Sequence, residues 1–184
     1  MLLETKLYLP PLRPDLVPRP ALWQRLDAGL HRRLTLISAP AGYGKTVLVG
    51  MWLRHLADGS LARPACLLAL DEGDNIPARF FTYLVAALQR IDDRIGVQAG
   101  SFLEAPQLPP TESLLTSLIN DIAITAAPFI LILDDYHTIT EPVIHEGIDW
   151  LIERQPPQMH LVISTRHDPP LALARLRGRD QMTE

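Results

Sequence analysis

Cysteine is nearly missing from this chain: Cys66 is the only one in 184 residues. That excludes an internal disulfide and any thiolate metal cage, and leaves Cys66 as small apolar packing within a strand. An excess of positive charge is missing too. Lysine and arginine number 17 against 21 aspartate and glutamate, for a net charge of -4. A broadly basic surface, and with it generic nucleic-acid binding by the whole chain, is excluded. No apolar run approaches the roughly 18 residues of a membrane span. The best, Ala126 to Leu133, is interrupted by Pro128. The opening Met1-Leu2-Leu3-Glu4-Thr5-Lys6 lacks the basic-then-apolar order of a secretory signal, so the expectation is a cytoplasmic protein that meets no membrane. There is no internal repeat and no low-complexity segment. What is present is 47% apolar residues, enough for a domain that needs no staple, and 17 prolines, about twice the average share.

The prolines act as punctuation. Pro10, Pro11, Pro14, Pro18 and Pro20 make residues 1–20 an extended arm with few backbone donors. Residues 21–184 then alternate. A short helix over 21–28 stops at Gly29, and the apolar strand Leu34 to Ser38 follows. Leu48, Met51, Trp52 and Leu56 recur at helical spacing over 45–57. Ala65 to Leu70 is a second strand, closed by the polar turn Asp71-Glu72-Gly73-Asp74-Asn75. Pro77 opens a helix with the stripe Phe80, Leu84, Ala87, Leu88 and Ile91, and residues 92–110 read as a loop. Thr111 is the expected cap of a helix carrying Leu114, Leu115, Leu118, Ile119 and Ile122. Phe129 to Leu133 is a third strand, 142–154 a helix, His160 to Ser164 a fourth strand, and 170–178 a basic helix. The strands are too uniformly apolar to have a wet face. They predict an α/β fold, a three-layer sandwich of parallel sheet covered by helices on both sides.

Ala39-Pro40-Ala41-Gly42-Tyr43-Gly44-Lys45-Thr46 sits between the first strand and the first long helix, the context a phosphate-binding loop demands. Gly42 and Gly44 let the backbone turn its N–H groups inward, around Ala41 and Tyr43. Lys45 is placed to reach the β- and γ-phosphates and the Thr46 hydroxyl to ligate Mg²⁺. The pattern's first glycine is Ala39 here, a mild change at a strand end. The second signal is Leu131-Ile132-Leu133-Asp134-Asp135, an apolar strand ending in two carboxylates at the sheet rim where ligands gather. Asp134 is the candidate Mg²⁺ ligand and Asp135 the group that orients or deprotonates an attacking water. Ser164-Thr165-Arg166 ends the fourth strand at the same rim, with Thr165 a candidate for phosphate or water and Arg166 for the γ-phosphate. Asp71 is read as shaping its turn with Asn75. His137 and His145, eight apart with no nearby cysteine, do not make a metal site. The arginines at 166, 175, 177 and 179 suit a solvated face or an interdomain contact better than nucleic acid.

These segments together resemble the N-terminal ATPase module of the MalT-like, LuxR-type transcription regulators, within the signal-transduction ATPases with numerous domains. The carriers are Lys6-Leu7, Val17-Pro18-Arg19, Ser38 through Thr46, Leu70 through Asn75, Leu133 through His137, Val143 through Glu146, Ser164-Thr165-Arg166 and Leu176 through Gln181. The resemblance implies ATP or ADP with Mg²⁺ as switch ligands, ADP favouring a resting state and ATP a self-associating one. It implies that Val17 and Arg19 clamp the adenine, that Arg166 senses the γ-phosphate, and that Asp135 suits slow hydrolysis. It further implies a chain that stops before the last core strand, the winged helix, the sensor repeats and the helix-turn-helix, so that it binds no promoter DNA itself and its other partners are the remaining domains. Two other classes stay open at this point. One is a P-loop small-molecule kinase, which needs an arginine-rich lid, whereas 92–110 holds only Arg94. The other is a scaffold that binds nucleotide without hydrolysing it.

Overall fold

The computed structural model describes residues 2–13, 15–105 and 110–184. Five strands form one sheet: β1 (Leu34–Ser38), β2 (Ala65–Ala69), β3 (Phe129–Asp134), β4 (Met159–Thr165) and β5 (Met182–Thr183). Their order is β2-β3-β4-β1-β5, and every ladder is parallel. Successive side chains point to opposite faces. In β3, Phe129, Leu131 and Leu133 enter one core while Ile130 and Ile132 enter the other. This is why the strand carries no polar alternation: both of its faces are dry.

Two helices cover one face, α1 (Pro20–Gly29) and α2 (Lys45–Ala57), with Leu26, Val49, Trp52 and Leu56 packed on the sheet. The other face is covered by α3 (Pro77–Leu88), α4 (Val97–Leu103), α5 (Thr111–Ala123), α6 (Pro142–Arg154) and α7 (Leu173–Gly178). Gly147 lets α6 come close to its neighbours, since a Cβ there would lie 3.0 Å from Phe81 and 3.2 Å from Thr111. The three-layer α/β sandwich is as the strand pattern predicts.

Four expectations need correction. The segment 92–110 contains α4, started by Gly96 at φ 76° and held where the Asp121 carboxylate accepts from the Gly96 N–H at 2.8 Å. Residues 106–109 of that expected loop lie outside the described residues, as does Pro14 of the arm. Thr111 does not cap α5. Pro110 holds the cap position without a side-chain bond, and Thr111 is already helical. The arm is not extended throughout, because Glu4–Leu7 makes a 3-10 turn. Finally, a fifth strand expected to be absent is present: Met182–Thr183 pairs with β1 at an edge of the sheet.

Candidate nucleotide-binding site

The loop from Ala39 to Gly44 leaves the end of β1 and turns into α2. Gly42 and Gly44 have φ of 82° and 77°, the left-handed region that an L side chain strains to enter. A Cβ at Gly42 would touch nothing within 4 Å, so the glycine is needed for its backbone, and the space over it is open to a ligand. Gly44 offers α2 no side-chain cap. The first N–H groups of the helix therefore stay directed at the loop, with the positive end of its dipole. The Lys45 ammonium is nearly buried and donates to the Ala39 and Pro40 carbonyls at 2.8 and 3.3 Å. Two of its three donors hold it in the loop and the third is free for an anion.

Thr46 Oγ1 donates to Asp134 Oδ2 at 2.6 Å, bringing the end of β3 against the start of α2. The other Asp134 oxygen accepts from the Asp135 N–H at 3.0 Å. Among the described residues no group of three or more His, Cys, Asp or Glu side chains gathers to hold a metal. A hydroxyl and one carboxylate suit Mg²⁺, which keeps waters and phosphate oxygens in its shell rather than a protein cage. On that donor set, and on the open cradle over Gly42, the residues fit a magnesium nucleotide.

Asp135 stands in the left-handed region at φ 56°, a strained setting for a non-glycine residue of the kind found at functional sites. Its carboxylate is half-exposed, 3.7 Å from His137 Nδ1. Burial, then the charges of Arg166 and Lys45, hold the His137 imidazole below its ordinary range, against an opposing pull from Asp135. His137 is thus a neutral ring facing the same rim, edge-on to His167 at 6.4 Å. Sequence reasoning considered it only as a metal ligand and missed this place. Its neighbour in that reading, His145, is bonded elsewhere, to the Tyr136 hydroxyl at 2.9 Å. Asn75 secures the segment after Asp135: its Oδ1 accepts from the Thr140 and Glu141 N–H groups, and its amide donates to the Thr138 carbonyl. Asp71, as expected, shapes the turn, accepting from the Gly73 N–H at 2.8 Å.

Arg166 is exposed at the end of β4, near enough to the loop for its charge to reach His137 together with that of Lys45. Thr165 does not join it. Its side chain is wholly buried and donates to the His167 carbonyl at 2.8 Å, so its expected role at phosphate or water is corrected. Strand alternation puts Ser164, not Thr165, on the face of α2, and Ser164 Oγ is buried without a partner among the described residues. Beside the loop lies a cavity of about 620 Å³, a small-ligand size. Val17 and Arg19 are among its lining residues, with Leu22, Leu36, Met51 and Gly42 to Lys45. Two arginines of the basic end are paired within the chain: Arg175 with Glu153 at 3.0 Å, and Arg177 with Asp168 and Glu184.

No family model matches the chain. Curated relatives do. The HTH-type transcriptional regulator MalT of Cronobacter sakazakii is 36% identical over 184 residues, all of this chain and 20% of that protein. That of Serratia proteamaculans is 37% identical with the same coverage. The chain is homologous to MalT-type transcriptional regulators. It spans about a fifth of the length of the MalT proteins it matches. Among solved structures, Cdc6p from Pyrobaculum aerophilum superimposes with a TM-score of 0.54 at 20% identity, over 96% of this chain and 46% of that one. The Aeropyrum pernix Orc1 protein, solved in complex with DNA, gives 0.50 at 20% identity, over 84% and 40%. These two likenesses are of fold alone. Among the described residues no helix is long and apolar enough to cross a membrane.

Proposed function

We propose that the chain is an ATP- and ADP-binding regulatory module of a MalT-like transcription regulator, a switch with slow Mg²⁺-dependent hydrolysis. The observation that carries this reading is the convergence of Lys45, Thr46 and Asp134 on one glycine loop, with an apolar cavity beside it. Val17 and Arg19 hold the base, the loop N–H groups and Lys45 hold the phosphates, and Thr46 with Asp134 hold the metal. When bound there, Mg²⁺ would neutralise charge on the β- and γ-oxygens. Asp135 orients a water, Arg166 meets the γ-phosphate side, and His137 stays neutral between them. In the whole regulator, working in the cytoplasm, the nucleotide state would control self-association through domains outside this chain. The small-molecule kinase reading loses support, since Arg94 is clamped by Asp92 at 2.6 Å and offers no lid cation.

The test is Lys45→Ala, titrated with a fluorescent ATP analogue. Loss of charge-assisted hydrogen bonds of about 1.5–3 kcal/mol should weaken binding roughly 10- to 100-fold. Wild-type affinity in the variant would sink the phosphate-loop assignment.

A further inference from the structure

Lys6 is one of two lysines in the chain, the other being Lys45. It rides on the 3-10 turn of the arm, far in sequence from the loop, and is buried. Its ammonium reaches Asp71 Oδ2 at 2.9 Å, pairs with the fully buried Asp74, and lies 4.7 Å from the Tyr83 ring centre. Asp74 is completed by Arg79 Nε at 3.0 Å and the Asp71 N–H at 2.9 Å. Asp71 is held below the usual carboxylate range by Lys6 above all. Further pins lie close by: the Leu3 N–H donates to the Tyr83 hydroxyl at 3.0 Å, and Arg90 pairs with Glu4 and lies over the Tyr8 ring at 4.6 Å.

All of these pins fall within residues 3–8. Leu7 is buried in the core on the α3 side of the sheet, whereas Leu9 packs against the core on the α2 side. The arm therefore wraps the free edge of β2, where Lys6 is locked to the turn that follows that strand. Beyond it, among the described residues, no side-chain hydrogen bond or ion pair ties residues 9–19 to the domain. The Arg19 carbonyl caps α1, accepting from the Leu22 and Trp23 N–H groups at 3.0 and 3.2 Å; ahead of it the arm has apolar contact, such as Leu12 against the bare backbone of Gly50 on α2. Yet Asp15, Leu16, Val17 and Arg19 form a wall of the cavity beside the loop. That wall is strung between α1 on one side and a polar anchor at the opposite edge of the sheet on the other.

We propose that Lys6 is a positioning residue for the nucleotide cavity, its ion cluster with Asp71 and Asp74 seating the arm so that residues 15–19 close over the base. This rests on the nucleotide reading above. Apolar contact alone is non-directional and lets a strap slide, whereas a buried charge pair has one register. A cavity whose wall is seated only part of the time binds more weakly by that fraction: seating of about 10–30% costs about 3- to 10-fold.

The experiment uses the 184-residue chain and two ligands, MgATP and Mg-tripolyphosphate, which has phosphates but no base. Lys6→Met keeps the aliphatic stem and removes the charge. It should weaken MgATP about 3- to 10-fold, leave tripolyphosphate unchanged, and speed amide exchange at Leu16, Val17 and Arg19. Should Lys6→Met not fold, Asp71→Asn removes the half-exposed partner, keeps Asp74 paired, and should shift the same ratio in the same direction. Equal losses for both ligands, or no loss for either, would overturn the proposal. If the wild-type chain binds neither ligand, the nucleotide reading itself fails and takes the proposal with it.

Discussion

Single residues in this protein show how burial sets chemistry. His160 in β4 is almost wholly inside, with Nδ1 against the Arg32 carbonyl and Nε2 against Thr35 Oγ1, each at 2.9 Å. A carbonyl only accepts, so Nδ1 carries the proton and Nε2 accepts from the threonine hydroxyl. Burial pushes the imidazole down to about 4 from 6.5. Above pH 6.5 both folded and unfolded forms are neutral and the contribution is complete. As pH falls towards 4 only the unfolded chain takes up the proton, so stability is lost across that window, and below 4 the loss from this group stops. The gap is worth about 3 kcal/mol. Urea unfolding of His160→Gln should therefore flatten the acid limb by about that amount between pH 7 and 4, and parallel curves would remove this role. Asp134 makes a second residue-scale case. Asp134→Asn should weaken MgATP binding while sparing metal-free ADP, because the amide cannot supply the negative charge a hard cation needs. Equal wild-type ATP affinities with and without EDTA would deny Asp134 that function.

At the scale of the element, the same substitution has opposite signs in two places. Gly44 sits at φ 77° before α2, and Gly44→Ala should cost about 1–2 kcal/mol from backbone strain alone. Gly100 lies within α4 at an ordinary helical φ, and a Cβ there meets nothing within 4 Å. Gly100→Ala should stabilise the protein by about 0.5–1 kcal/mol. Thermal melts of the two variants decide it, and equal shifts would mean the loop conformation is not enforced. The contrast also shows why the loop was legible and α4 was not. A glycine-lysine-threonine run after an apolar strand is a local signal. α4 is seven residues long, is opened by a left-handed glycine, and is held by Asp121 of a helix further on. No window around 97–103 contains that partner.

Across the whole molecule, the parallel sheet gathers the loop, Asp134, Asp135 and Arg166 on one rim, and that rim is open. Tyr43 is 71% exposed, and Asp135 and Arg166 are reached by water. Charges facing solvent are screened, and an attacking water there is weakly held. Turnover by this chain should thus fall well below 1 s⁻¹, the low end of typical enzymes, with Asp135→Asn lowering it further. Phosphate release under saturating MgATP reads this out. A rate above 1 s⁻¹ that ignores Asp135 would favour a self-sufficient enzyme over a switch. The two arginines of α7 act at this scale too, since Arg175 and Arg177 are each paired with a carboxylate and present less free charge to a phosphate backbone.

The sequence by itself determined the layers and the form of the glycine loop. Two-sided apolar strands, prolines opening α3 and α6, and glycines at 42 and 44 each state a local physical requirement that one window of residues can meet. What only the tertiary structure decided lies between windows. Thr165 and Ser164 are neighbours with the same chemistry, and which of them faces α2 depends on the pleat of β4 between β3 and β1. Lys6 reads as an ordinary charge in an arm until β2 delivers Asp71 and Asp74, 65 and 68 residues away, to enclose it. Local pattern encodes periodicity and backbone angle. The worth of a charge depends on what surrounds it, and for Lys6 that is settled by the edge of the sheet where the arm crosses.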